Sequence, residues 1–150
     1  MHNKIPPPVI LLLSGAIMWL VAHSAFACPV AVPFAFPLAL LLAATGIVVA
    51  ASAIRQFRQA QTTVNPLQPD AATALVDHGI FARTRNPMYL GLLLVLSGWG
   101  VWLQSLTNLV VLAVFVLFIT QFQIKPEERA LQKVFGQAYA DYSARVRRWI

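Results

Sequence analysis

Polar side chains that could do chemistry are concentrated in two short segments of an otherwise apolar chain, residues 77–91 and residues 125–142. The most versatile of them are Arg85, Asn86, Tyr89, Glu127 and Glu128. An arginine can bind a carboxylate through charge-assisted hydrogen bonds, and an asparagine can both donate and accept. Two adjacent acids are costly to bury without partners, so they either face water or bind something. The sequence therefore predicts a polar binding site where the two segments meet.

Charged residues are missing from two long stretches of the chain. None lies in the 50 residues between Lys4 and Arg55 or in the 39 residues between Arg85 and Lys125. A helix needs about 20 apolar residues to cross a bilayer, so each stretch is long enough for two crossings and a turn. With 59% hydrophobic and 11% charged residues, the chain cannot cover the surface of a water-soluble domain. We predict an all-α integral membrane protein with about four transmembrane helices in a single domain.

The predicted elements bring the two polar segments together. The spans cover residues 9–27, 30–54, 88–103 and 109–124, with a connector over 55–87 and a tail over 125–150. Apolar residues of the tail recur at three- and four-residue steps, which predicts an amphipathic helical segment that Gly136 ends or kinks. The third and fourth spans form an antiparallel hairpin, so the polar segments at its two ends are expected side by side at one membrane face.

The distribution of cations predicts the orientation. All eleven Lys and Arg residues fall in the N-terminal segment, the connector and the tail, which four crossings place on one face. The positive-inside rule makes that face cytoplasmic. We expect both termini and the polar site there, in a bacterial inner membrane. The residues expected at the lipid headgroups are Arg145, Arg147, Arg148 and Trp149.

The same distribution of cations argues against a nucleic-acid partner. The net charge of +6 is explained by the membrane topology, and the cations are not interleaved with aromatic side chains that could stack on bases. The expected partners are the lipid bilayer and a lipophilic molecule, with no nucleic acid. Cys28 is the one cysteine, and the three histidines lie far apart, so no metal site is predicted. Ala25 to Ala27 before Cys28 resemble a signal-peptide cleavage site, but the usual leucine three residues before the cysteine is absent. A retained first span is therefore favoured.

Two sequence signatures resemble those of the isoprenylcysteine carboxyl methyltransferase and phospholipid methyltransferase superfamily. The first consists of residues 78–81, HGIF, and 85–91, RNPMYLG; the second of Glu127-Glu128-x-x-Leu131 followed by residues 135–142, FGQAYADY. Residues 63–66, TVNP, are similar to the lead-in of bacterial members. The resemblance covers roughly residues 62–150, and the first two spans carry no signature. Asn86 stands where carboxyl methyltransferases usually have histidine and is similar to the phospholipid N-methyltransferase branch, so this position cannot be a general base.

The resemblance implies S-adenosylmethionine as the cofactor. Glu127 or Glu128 would hold its ammonium and Arg85 its carboxylate, while a tyrosine face would stabilise the sulfonium. Glycines would allow close backbone approach. The residues expected to bind the cofactor are Gly79, Arg85, Asn86, Tyr89, Gly91, Glu127, Glu128, Leu131, Tyr139 and Tyr142. Those expected to be catalytic are Arg85, Asn86 and Glu128.

The predicted function is therefore S-adenosylmethionine-dependent methyl transfer in the membrane to a lipophilic or lipid-attached acceptor. The acceptor atom stays open between a carboxylate, an amine and a thiol, and Asn86 slightly favours an amine. The competing hypothesis is a non-catalytic membrane protein, either an assembly partner or a degenerate family member. The oligomeric state and the choice between Glu127 and Glu128 as the inward-facing acid are left open, because consecutive helical residues point about 100° apart.

Overall fold

Every regular element in the computed structural model, which describes residues 5–62 and 73–150, is helical. The helices are α1 (Pro7–Ala22), α2 (Ala35–Gln59), α3 (Pro87–Leu103), α4 (Asn108–Ile119), α5 (Lys125–Phe135) and α6 (Gln137–Arg145), with a 3-10 turn at Gly79–Ala82 and a π turn at Thr120–Ile124. The all-α prediction is confirmed. Lys4 and the TVNP lead-in at 63–66 lie outside the described residues.

Prolines and one glycine define several helix ends. Pro7 and Pro87 each begin a helix. Proline is tolerated at this position because the first backbone amides of a helix have no acceptor within the helix, so the missing amide hydrogen removes no bond. Gly136, with φ of +54°, separates α5 from α6, as the sequence predicts. The first helix is shorter than predicted and ends at Ala22. The backbone of residues 28–30 pairs instead with the turn after α3, through Val30 N to Gln104 O and Leu106 N to Cys28 O, each at 2.9 Å.

Among the described residues, two helices are long and apolar enough to cross a membrane. One is α2, of 25 residues, and the other is the continuous run Asn108–Phe135, of 28 residues, which contains α4, the π turn and α5. The predicted end of the fourth span at Ile124 coincides with the start of α5 at Lys125, and Pro126, in the first turn of α5, does not interrupt the run. The other two predicted spans correspond to α1 and α3, which have 16 and 17 residues.

Large apolar side chains face outward on several helices. Leu12 is 72% exposed, Leu41 63% and Leu117 69%. A water-soluble protein rarely leaves so much contiguous apolar surface uncovered. The outward faces of α1, α2 and α4 are suited to lipid.

Helices α2 and α3 meet through small residues that let their backbones approach closely. A Cβ atom added at Gly91 would lie 2.6 Å from the Gly46 carbonyl oxygen, and one added at Gly98 would lie 2.6 Å from the Ala39 carbonyl oxygen. Close packing of this kind is a common way for apolar helices to associate where lipid removes the hydrophobic driving force. It fixes α3, and with it the signature residues at its start, against α2.

We predict that Gly91→Ala lowers the midpoint of thermal unfolding in detergent. The new methyl group meets backbone that cannot move cheaply, and overpacking of this kind costs about 1–3 kcal/mol. Gly15→Ala is the matched control, since its Cβ would lie 3.9 Å from its nearest neighbour, the Leu96 Cδ2 atom. Alanine there gains about 1 kcal/mol of helix propensity. Equal midpoint shifts for the two variants would contradict the proposed packing role.

Candidate functional site

A cavity of about 410 Å³ lies between the start of α3 and the helices α2, α5 and α6. Residues of both signatures line it: Arg85, Asn86, Tyr89, Glu127, Glu128, Leu131, Tyr139 and Tyr142. Two residues that were expected at the cofactor, Gly79 and Gly91, do not line it. The volume is within the range of about 300–1,000 Å³ that is usual for small-molecule sites.

The first two helices, which carry no signature, also form part of the cavity wall. Ile54 and Phe57 of α2 line it, and so do Pro6 and the first two residues of α1. Met88 and Leu92 of α3 add further apolar side chains to the lining. The cavity wall therefore combines charged and polar signature residues with apolar side chains of α2 and α3.

The two adjacent acids contact different partners across the cavity. Glu127 accepts a hydrogen bond from the Tyr89 hydroxyl at 3.2 Å. Glu128 lies 3.4 Å from the Arg85 guanidinium. Both acids line the cavity. The two acids therefore differ in the residues that they contact and not in whether they face inward. The hairpin geometry expected from the sequence, with the arginine–asparagine–tyrosine segment beside the diacid, is the geometry observed.

Arg148 and Trp149 contact residues around the site without lining the cavity, which the sequence analysis missed. Arg148, which was expected at the lipid headgroups, donates two hydrogen bonds to the Glu128 carboxylate, at 2.9 and 2.8 Å. The Trp149 indole donates to the Thr120 hydroxyl at 3.3 Å. Arg145, Arg147 and Arg148 satisfy the positive-inside pattern equally well. No local feature of the sequence therefore indicates that Arg148 is the one that binds Glu128.

Asn86 is buried, and its side-chain amide is already engaged by the chain terminus. Its Nδ2 atom donates to the Arg148 carbonyl oxygen at 2.8 Å. The backbone amide of Arg85 donates to the Arg147 carbonyl at 3.0 Å. The Nε atom of Arg85 is also buried, and it has no hydrogen-bond partner among the described residues. A buried donor of this kind is costly unless a ligand or water satisfies it.

The two tyrosines of α6 pack beneath the cavity. Tyr139 and Tyr142 are both nearly inaccessible to solvent, with ring centroids 6.1 Å apart. Tyr142 donates its hydroxyl hydrogen to the Phe81 carbonyl at 2.8 Å.

Burial raises the pKa of Tyr139 to about 12, and the nearby Glu128 carboxylate acts in the same direction. Burial also raises the pKa of Tyr142 well above its usual value. The hydrogen bonds to Glu128 raise the pKa of Arg148. At neutral pH both tyrosines are therefore uncharged, and Arg148 is fully protonated.

Gly79 serves the turn that precedes the site. Its φ is +60°, and a Cβ atom there would collide with the Gln56 side chain, 2.7 Å from Cδ. The hydrogen-bond network assigns the Gln56 amide so that it donates to the His78 carbonyl at 2.8 Å and accepts from the Ile80 amide at 3.1 Å. Gly79 thus lets the Gln56 side chain of α2 hold the 3-10 turn. Gly91, the other glycine of the first signature, packs against α2.

Comparisons with known proteins give a match that includes the first signature and the second as far as residue 138. A family model described as phospholipid methyltransferase matches residues 34–138. An uncharacterized protein from Haemophilus influenzae is 44% identical over 63 residues, which are 42% of this chain and the whole of that protein. The match to the family model begins at the start of α2. It therefore includes this helix, whose Ile54 and Phe57 line the cavity.

We predict that Gln56→Leu destabilises the protein by about 1 kcal/mol, because it removes the two hydrogen bonds that Gln56 makes to the partly exposed 78–80 turn. The check is thermal unfolding in detergent. Gln59→Leu, an exposed position three residues further along α2, is the control and should change the midpoint little. If the two variants unfold alike, Gln56 does not hold the turn.

Proposed function

The chain belongs to the phospholipid methyltransferase family, within the isoprenylcysteine carboxyl methyltransferase-like superfamily, and we propose that it transfers a methyl group from S-adenosylmethionine to a lipophilic acceptor. One observation carries the proposal. Both signatures line a single cavity whose wall contains charged as well as apolar side chains. A water-soluble cofactor and a hydrocarbon-bearing acceptor need both kinds of contact.

The charged residues in the cavity wall fit the amino-acid part of this cofactor. Arg85 lines the cavity, and its guanidinium can donate to a carboxylate. Glu127 has a neutral hydroxyl as its hydrogen-bond partner and keeps acceptor capacity for an ammonium or for ribose hydroxyls. The volume of about 410 Å³ suits a ligand of this class.

The two acids then have different tasks. Glu128 is engaged by two guanidinium groups, from Arg85 and Arg148, so its negative charge is balanced. Glu127 has no such counter-charge among its described contacts. We therefore assign the cationic group of the ligand to Glu127 and the orientation of Arg85 to Glu128.

An aromatic face lies close to these charges. Tyr139 lines the cavity and stays uncharged because its pKa is raised. A neutral aromatic ring attracts a cation to its face, and Leu131 offers apolar surface beside it. This corner is the proposed position of the sulfonium, with the adenine against Leu131.

Methyl transfer is an in-line displacement, for which the bound cofactor supplies an electrophilic methyl group and a neutral thioether as the leaving group. The protein has to align the acceptor with that methyl group and exclude water, and alignment can contribute several kcal/mol to lowering the barrier. The hydrophobic side chains of α2 and α3 hold the acceptor's hydrocarbon part. A carboxylate or thiolate attacks without a base. An ammonium must first lose a proton, which Asn86 cannot accept because its amide does not titrate.

The membrane arrangement extends the same proposal. The two membrane-capable helices and the family together indicate a membrane protein. We propose that α1 and α3 cross as well, in a bacterial inner membrane, with both termini and the cavity at the cytoplasmic face. Arg55 and Arg58 lie in the last turns of α2, near the cavity end of that helix, as the positive-inside rule requires. The acceptor would then arrive from the bilayer and the cofactor from the cytoplasm.

The direct test is to incubate membranes containing the protein with S-adenosylmethionine labelled in its methyl group, and then to extract the lipids. We expect label in the lipid fraction, and none from membranes without the protein. If no lipid or lipid-attached product is labelled while the purified protein binds no S-adenosylhomocysteine, the non-catalytic alternative replaces this proposal.

We predict that Glu127→Gln weakens the binding of S-adenosylhomocysteine about tenfold or more, because a neutral amide replaces the carboxylate that holds the ammonium. Isothermal titration calorimetry in detergent measures the change. Asp141→Asn is the matched control: this acid is exposed on α6 and accepts a hydrogen bond from Gln137, so the same loss of charge should leave the affinity unchanged. Wild-type affinity in Glu127→Gln would remove Glu127 from the site.

A further inference from the structure

The last residues of the chain, 146–150, form a strap between the two walls of the cavity. The Arg147 carbonyl accepts from the Arg85 backbone amide at 3.0 Å. The Trp149 indole donates to the Thr120 hydroxyl at 3.3 Å and packs against the core of α3 and α4. These two attachments fix the main chain on both sides of Arg148.

Arg148 itself contacts both walls. Its guanidinium holds both oxygens of Glu128, on α5, at 2.9 and 2.8 Å. Its carbonyl accepts from the Asn86 side chain at 2.8 Å and from the Thr84 hydroxyl at 3.3 Å, at the start of α3. One residue outside both signatures therefore connects them.

We propose that Arg148 is a positioning residue of the site, which acts through Glu128 and Asn86 and not by contact with the reacting atoms. A planar guanidinium that binds both carboxylate oxygens prevents the carboxylate from rotating. Glu128 then presents Oε1 to Arg85 at 3.4 Å. Arg85 in turn is held in the cavity wall, and Glu127 is left for the ligand. This inference rests on the proposed function for the identity of the ligand.

The exposure of the pair separates a positioning role from a merely stabilising one. The Arg148 side chain is 34% exposed and that of Glu128 16%. Arg148 is partly in contact with solvent, and its removal leaves Glu128 with Arg85 as a counter-charge at 3.4 Å, so no unpaired buried charge is created. The loss of Arg148 should therefore appear in ligand affinity much more than in the unfolding midpoint.

The test compares Arg148→Ala, Arg148→Lys and the control Arg129→Ala. Arg129 is exposed on α5 beside Glu128, and its replacement removes the same charge. We expect the dissociation constant of S-adenosylhomocysteine, measured by calorimetry, to rise about tenfold in Arg148→Ala. Lysine keeps the charge but loses the two-pronged geometry, so Arg148→Lys should recover only part of the affinity. Arg129→Ala should bind like the wild type.

A double variant shows whether the effect passes through Glu128. In a Glu128→Gln background, Arg148→Ala should add little further loss of affinity, because its partner is already gone. If Arg148→Ala binds like Arg129→Ala, or if its effect is undiminished in the Glu128→Gln background, the proposal is overturned.

A ligand-free measurement keeps this inference separate from the proposed function. Hydrogen–deuterium exchange of residues 84–90 should increase in Arg148→Ala, since the strap that accepts the Arg85 amide hydrogen is loosened, and should be unchanged in Arg129→Ala. If the wild type binds no S-adenosylhomocysteine, the proposed function fails and the exchange result alone decides. Unchanged exchange in Arg148→Ala would then refute the positioning role.

Discussion

The cavity depends on the partners of two adjacent acids at the end of a long apolar helix. A carboxylate near the edge of a membrane is expensive to bury, and two in succession repel each other. The structure provides the two carboxylates with two kinds of partner. Glu128 is placed between the guanidinium groups of Arg85 and Arg148, and Glu127 is placed against the hydroxyl of Tyr89. These partners come from α3 and from the chain terminus, so the charge balance also joins the walls of the cavity.

The continuity of the fourth apolar stretch into the tail supports this arrangement. The helix that begins at Asn108 does not end at the membrane edge but passes through the π turn at Thr120–Ile124 into α5. A π turn inserts a residue into the helical repeat and rotates everything that follows it. It also places Thr120 where the indole of Trp149 can reach it. A rigid helix, and not a loop, therefore carries the diacid into the site.

Much of this organisation is predictable from the chain, because its signals are local. The charge gaps predict apolar helices, Pro87 predicts the start of α3, and Gly136 predicts the separation of α5 from α6. The juxtaposition of the two signatures follows from the antiparallel hairpin. What could not be predicted depends on tertiary contacts that leave no periodic pattern. In the sequence, Arg148 cannot be distinguished from the other cations expected at the lipid headgroups. Gly79 and Gly91 were expected to face a ligand, but both pack against α2. The end of α1 at Ala22 depends on backbone pairing with a turn some 80 residues away.

That pairing joins the two hairpins at one end of the bundle. The turn after α1 and the turn after α3 are tied by two backbone hydrogen bonds of 2.9 Å, and the Thr107 hydroxyl adds a third bond to the Phe26 carbonyl at 2.8 Å. The α1–α2 and α3–α4 hairpins are thus connected at the end remote from the cavity. Nearer the cavity they are held by the close approach of Gly91 to Gly46. A molecule that enters the cavity therefore cannot pass between α2 and α3 without separating these contacts.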